Sequence, residues 1–251
     1  MRARFVQTTN TARFLAALGR LQERGAEEAC LMVVDGPPGT GKSECVEWCA
    51  TQRNWVFLRA KKEWRPSWML RDLLEALQQP HQHSFEKMYK SALEVLGRRA
   101  LAAEREDEVF AIVIDEADHI VRKETMMETL RDLSDYLEIP VILVGMGRIS
   151  SSLGRYPQIS SRVGQYVEFL PFGPDDTAEV IAGLSEVSVA QDMIEYVHAE
   201  AKGMAREIKE AIQKIEAFGR RNQGPVTVEG MAGQVLMYDR ASGAPIMVKV
   251  R

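Results

Sequence analysis

The sequence predicts an α/β fold, a parallel sheet between helices followed by a small helical lid, and three observations predict it. Short apolar runs recur at residues 31–34 and 55–58, in VFAIVIDEAD (109–118), in PVILVGMG (140–147) and in QYVEFLPF (165–172). Longer stretches with helical spacing of apolar residues separate them, and strands that alternate with helices make a parallel sheet covered on both faces. From Pro174 to Arg221 the pattern is helical only, which sets a second, smaller body apart.

Taken in order, an amphipathic helix over residues 10–24 precedes the first strand, Leu31 to Val34. A glycine-rich turn, GPPGTGKS (36–43), joins that strand to a helix from Ser43 to Ala50. Trp55 to Leu58 is the second strand, and Ser67 to Gln78 and Phe85 to Glu104 are helices divided by a loop at Pro80. The third, fourth and fifth strands are the three remaining runs. The tail, QVLMYDRASGAPIMVKV, offers two apolar runs around Ser242 and Gly243, the pattern of a hairpin. The expected division is a basic amino-terminal helix at 1–25 packed on the core, an α/β domain at 26–173, a helical lid at 174–222 and a short tail at 223–251. No internal repeat or low-complexity segment interrupts it.

Composition narrows the function classes. With 45% hydrophobic and 27% charged residues the chain can bury a core, which excludes intrinsic disorder. No apolar run approaches the roughly 18 residues needed to span a bilayer, and no signal-peptide core is visible, so a cytoplasmic protein without a membrane partner is expected. Cys30, Cys45 and Cys49 read as reduced core thiols, and His81, His83, His119 and His198 lack the spacing of metal ligands. A net charge of -4 argues against indiscriminate coating of nucleic acid. Basic residues nevertheless cluster: Arg2, Arg4, Arg13, Arg20 and Arg24 near the amino terminus, and Arg59, Lys61, Lys62 and Arg65 around Glu63.

The turn from Gly36 to Ser43 matches G-x-x-x-x-G-K-S/T in the context it needs, after a buried strand and before a helix. Its chemistry is that of a nucleoside triphosphate. Gly36, Gly39 and Gly41, with Pro37, Pro38 and Thr40 between them, let the backbone turn its N–H groups towards phosphate oxygens, and the helix beginning at Ser43 and Glu44 adds its positive end. Lys42 is the residue to bridge the β- and γ-phosphates of ATP, and Ser43 a ligand of Mg2+. Asp115 closes the third strand, where α/β proteins place ligands, and is the second protein ligand expected for Mg2+. Glu116 beside it is placed to polarise the attacking water, which predicts hydrolysis and not binding alone.

D-E-A-D after an apolar strand, with GPPGTGKS upstream, resembles the AAA+ ATPases, which implies an AAA+ P-loop NTPase fold. QISSRVGQYVEFLPF is similar to the Ser-Arg-Cys box of clamp loaders and its counterpart in replication initiators. That likeness implies that Arg162 reaches a neighbouring subunit's nucleotide, with Arg148 and Arg155 as rivals for the role. In AKGMAREIKEAI (201–212) the Gly-x-x-Arg resembles the sensor of the family's lid, which implies Arg206 against the γ-phosphate; a surface arginine paired with Glu210 is the alternative. One departure is visible. The fourth strand of this family commonly ends in Asn, Ser or Thr, but here it ends in Gly145-Met146-Gly147, which leaves the water without that partner unless Arg148 or Ser150 supplies it.

Small size, no pore loop and the stretch GMGRISSSLGRYPQISSRV resemble the target-selecting ATPases of transposable elements, the Mu phage B protein and related transposition regulator ATPases. The resemblance implies assembly into a ring or helical filament on duplex DNA without sequence specificity, and recruitment of a transposase or integrase. Lys61, Lys62 and Arg65, after the second strand, are the candidate DNA contacts. A helicase loader or replication initiator would share every motif. A nucleotide-gated interaction ATPase that binds no DNA is a further alternative, and a small-molecule kinase is disfavoured because it leaves the two arginine boxes idle.

Overall fold

A computed structural model describes residues 1–23, 30–80, 82–147 and 149–250. Five strands pair in parallel: β1 (Leu31–Asp35), β2 (Val56–Arg59), β3 (Ile112–Asp115), β4 (Val141–Val144) and β5 (Val163–Glu168). Their order in the sheet is β2-β3-β4-β1-β5. Every residue of β3 and β4 is buried, as are the four apolar residues of β1. Helices cover both faces of such a sheet, so its inner strands carry unbroken β-branched and aliphatic runs where a half-exposed strand would alternate. The flanking helices are α1 (Thr9–Gln22), α2 (Lys42–Gln52), α3 (Pro66–Ala76), α4 (Phe85–Arg105) and α5 (Glu124–Leu137). Pro66 sits in the first turn of α3, where its missing N–H goes unused. Met126, Met127, Leu130 and Leu133 bury one face of α5 at helical spacing.

The fifth strand departs from its sequence expectation of 165–172. It begins at Val163 and stops at Glu168. Its start is hidden because the register with β1 shifts between Leu31 and Met32, which pair with Val163 and Gln165 and leave Gly164 as an extra residue. Its end is set by side-chain chemistry: the Asn10 amide donates to the Leu170 carbonyl at 2.7 Å, and its oxygen accepts the Leu170 N–H at 3.1 Å. With both backbone groups taken, the apolar run continues but the ladder does not. Two short helices that the sequence did not announce, α6 (Ile149–Leu153) and α7 (Pro157–Ser160), lie between β4 and β5.

Two compact units divide the chain. One holds the sheet, with residues 13–36 and 42–169. The other holds residues 1–12, 37–41 and everything from Leu170 onward. Its core is built by α8 (Pro174–Leu184), α9 (Gln191–Ala201) and α10 (Ala205–Gly219) around Ile181, Met193, Val197, Ile208, Ile212 and Ile215. The strands β6 (Val235–Tyr238) and β7 (Pro245–Met247) pair antiparallel and add Leu236 and Met237 to that core. In the connecting turn the Asp239 carboxylate accepts the Ser242 hydroxyl at 2.6 Å and the Ser242 N–H at 2.7 Å, which holds its pKa below the usual aspartate range. Residues 1–12 dock through their own polar groups: Thr9 donates its N–H and its hydroxyl to Asp176, at 2.7 and 3.0 Å. Among the described residues no helix is long and apolar enough to cross a membrane.

Candidate nucleotide-binding site

The glycine-rich turn leaves β1 at the carboxyl edge of the sheet, and its first glycine is obligatory. A Cβ on Gly36 would stand 2.3 Å from the Phe169 carbonyl oxygen, so only a residue without a side chain lets the turn pass β5. Gly39 and Gly41 both take left-handed backbone, at φ +87° and +85°. The Thr40 hydroxyl donates to the Pro37 carbonyl at 2.9 Å and braces the turn, while Pro37 and Pro38 are exposed at its outer side. Lys42 opens α2 and is buried, its ammonium donating to the Gly36 carbonyl at 2.8 Å. Burial lowers its pKa, and the carboxylates of Asp35, Asp115 and Asp118 oppose that shift. Glu44, one turn into the helix, is exposed.

Ser43 and Asp115 meet. The serine hydroxyl donates to Asp115 Oδ1 at 3.1 Å, and the same oxygen accepts the Glu116 N–H at 2.9 Å. Asp115 Oδ2 is buried and has no hydrogen-bond donor among the described residues; the Arg59 guanidinium stands 3.6 Å from it, too far to hydrogen-bond. A buried carboxylate oxygen in that condition is costly unless an ion completes it. The hard oxygen pair of Ser43 and Asp115 therefore fits Mg2+, which takes few protein ligands and keeps its waters. Among the described residues no group of three or more His, Cys, Asp or Glu could enclose a metal.

Glu116 follows in left-handed backbone at φ 54° and ψ 36°, an uncommon conformation for a residue with a side chain. Its carboxylate is bracketed by two groups that motif reading did not identify, Arg59 at 3.7 Å and His119 at 3.4 Å. Arg59 reaches it because β2 pairs with β3 in a register that sets Arg59 opposite Asp115.

The arginines of the predicted interface are placed differently from one another. Arg162 precedes β5 and is half-buried, its guanidinium holding Asp135 of α5 at 3.1 Å, with Arg131 at 3.9 Å from the same carboxylate oxygen. Arg155 is exposed, and Arg148 lies outside the described residues, as do Arg24 and His81. Arg206 is exposed at the start of α10, where its N–H donates to the Gly39 carbonyl at 3.3 Å. The glycine three residues before it is pinned: a Cβ on Gly203, at φ +71°, would stand 2.3 Å from the Phe172 carbonyl oxygen. Glu210, the alternative partner for Arg206, binds Arg240 instead, at 2.5 Å. Lys61, Lys62 and Arg65 are all exposed, but Lys61 already holds Asp72 at 2.5 Å and lies 5.7 Å from the centre of the Trp68 ring.

A phosphate-cradling loop leaving an inner strand of a parallel sheet, with a lysine and a serine at the head of the next helix, defines a P-loop NTPase. Within that class the chain belongs to the AAA domain family, whose sequence profile matches residues 25–153, just over half of its length. A potential ATP-binding protein of Staphylococcus aureus is 36% identical over 70 residues, 28% of this chain, so the match spans only a quarter of that relative. Among solved structures, Cdc6p from Pyrobaculum aerophilum is similar with a TM-score of 0.63 at 16% identity, over 92% of this chain and 68% of that one. The ORC1 protein of Aeropyrum pernix, solved in complex with DNA, gives 0.57 at 18% identity, over 88% and 62% of the two chains. The Walker-type ATPase of Pyrococcus abyssi gives 0.58 at 13% identity, over 87% and 71%. At these identities the likeness is one of fold.

Proposed function

We propose that this chain binds and hydrolyses ATP, that it assembles on duplex DNA as a ring or helical filament, and that it selects DNA targets for a transposase or integrase. The observation that carries the nucleotide reading is the buried Oδ2 of Asp115, without a donor among the described residues, beside the Ser43 hydroxyl. In this reading the N–H groups of residues 36–43 cradle the phosphates, and Lys42 bridges the β- and γ-phosphates. Mg2+, held by Ser43 and Asp115, would neutralise charge on those phosphates. Glu116 orients the water and takes its proton, for which its tie to Arg59 and His119 must loosen. Arg206, in a lid of residues 174–222, faces the γ-phosphate, and the segment 223–251 is a tail to that lid. Arg162 leaves Asp135 to serve the site of a neighbouring subunit, so turnover requires assembly.

Lys61, Lys62 and Arg65 supply phosphate contacts that multiply when subunits repeat around the DNA axis. A second reading, a replication initiator or helicase loader, is favoured by the likeness in fold to Cdc6p and to ORC1, the latter solved with DNA. Electron microscopy and DNA pelleting with ATP, ADP and a slowly hydrolysed analogue test the common part. Rings or filaments on duplex DNA with ATP, lost with ADP, are expected. No ATP-dependent DNA binding at low salt removes both DNA readings and leaves a nucleotide-gated interaction ATPase. Stimulation of strand transfer by a co-encoded integrase, against loading of a replicative helicase, separates the first reading from the second.

A further inference from the structure

The site contains an acidic group that the roles above leave unused. Asp118 lies on the 3-10 turn Ala117–His119, two residues after Glu116. Its Oδ2 accepts the Met146 N–H at 2.7 Å, at the end of β4. A Cβ built on Gly145 would stand 2.4 Å from that oxygen, so the carboxylate fills the space that a side chain at 145 would occupy. The rest of the β4 terminus, Gly145-Met146-Gly147, has no side chain able to form a strong hydrogen bond. No donor among the described residues reaches Asp118 Oδ1. Nor is the group remote from the phosphate loop, since its charge is felt by the Lys42 ammonium together with those of Asp35 and Asp115.

On the reading of this site as an ATPase, we propose that Asp118 is a water-positioning residue, acting from the place at the end of β4 that Gly145 leaves empty. An ionised carboxylate only accepts hydrogen bonds, so it works on the O–H of the water and not on a phosphate oxygen. Oδ2 stays on Met146, which fixes the side chain, and Oδ1 accepts one hydrogen of the water while Glu116 accepts the other. As the water oxygen bonds to the γ-phosphorus, the bond from that phosphorus to the β–γ bridging oxygen breaks. ADP leaves with that oxygen, and the water proton passes to Glu116. Asp118 neither gains nor loses a proton. Its contribution is orientation, which is felt in kcat and not in nucleotide affinity.

The test uses Asp118→Asn and Asp118→Ala in the full chain, with DNA and Mg2+ present, and follows kcat, the Kd of a slowly hydrolysed ATP analogue and thermal melting. Asn is isosteric and can keep the bond to Met146 through its carbonyl oxygen, turning its amide NH2 towards the water. Its kcat is expected to fall by about tenfold or more, with Kd changed less than about threefold, the signature of an interaction made only in the transition state. Ala loses the loop bond as well and should melt at a lower temperature than Asn at a similar kcat. An Asn variant that turns over at the wild-type rate reduces Asp118 to a cap for the loop and overturns the proposal. So does a parallel loss of affinity and rate in both variants. A wild-type protein that hydrolyses no ATP, indistinguishable from Lys42→Ala, overturns the ATPase reading itself.

Discussion

The phosphate-loop site and the basic surface after β2 are both rich in charge, yet they handle it in opposite ways. In the first, Lys42 is 6% exposed and Asp115 3%, and one oxygen of that aspartate has no donor among the described residues. In the second, the Lys61 side chain is 53% exposed and already has a carboxylate and an aromatic face as partners. Burying charge in a protein is expensive, so a chain that keeps it points to a ligand that completes it. Exposed charge is stable in water without any ligand, and a cluster of it is therefore weaker evidence of a partner. Charged residues therefore carry different weight in the two places.

The largest expected effects lie at the buried end. Lys42→Ala should raise the Kd for ATP by at least about 100-fold, because it removes a desolvated charge contact and leaves Asp35, Asp115 and Asp118 facing the phosphates unopposed. Glu116→Gln should bind ATP as the wild type does and lose hydrolysis by about 10² to 10⁴, the usual worth of a positioned general base. Equal binding by Lys42→Ala and the wild type, measured by calorimetry, would end the contrast between the two regions.

Next comes Arg162→Ala, which should bind nucleotide normally while turnover falls by about 10² or more, a tenth or more of the roughly 10³ to 10⁵ known for arginines supplied to phosphoryl transfer. Specific activity of the wild type should rise with protein concentration, and mixing Arg162→Ala with Lys42→Ala should restore part of it. Activity independent of concentration confines Arg162 to its bond with Asp135.

A smaller effect follows from the lowered pKa of Lys42. Phosphate binds the ammonium form and pulls its pKa back up. Affinity is therefore flat while the free protein keeps the proton, and it falls as pH rises through the free-protein pKa. That fall should begin below the ordinary lysine value of about 10.4, by at most about one log unit per pH unit for one group. A Kd that begins to rise only at or above the ordinary lysine value contradicts the lowered pKa of this ammonium.

The smallest effects belong to the exposed surface. Removing one DNA-phosphate partner there should flatten the dependence of log K on log salt by about 0.9. Because Lys61 already holds Asp72, Lys62→Ala and Arg65→Ala should each change the slope more than Lys61→Ala. Identical salt slopes for the wild type and the triple variant would leave this surface as a solvated loop.

The sheet could be read from the sequence because its inner strands are buried on both faces and so spelled as apolar runs. The bounds of the edge strand β5 could not, since they are set by Gly164 and by Asn10, one a local irregularity and the other 160 residues away in sequence. The nucleotide loop was legible because phosphate chemistry dictates consecutive residues. Arg59 beside Glu116 was not, because that contact depends on which strands are neighbours and in what register. The hold of Asp135 on Arg162 escaped for the same reason: α5 and the start of β5 are brought together by the fold, not by spacing.

The left-handed backbone of Glu116 sets two selective pressures against each other. Holding a side chain at φ 54° disfavours the folded state by about 1 kcal/mol, and glycine would relieve much of that. The exposed contacts of Glu116 with Arg59 and His119 are worth about 0 to 1 kcal/mol, too little to reverse the preference decisively. A directed-evolution screen that rewarded heat resistance alone would thus drift towards glycine at 116 and discard the carboxylate proposed as the water's base. Keeping glutamate there requires that the screen also reward turnover.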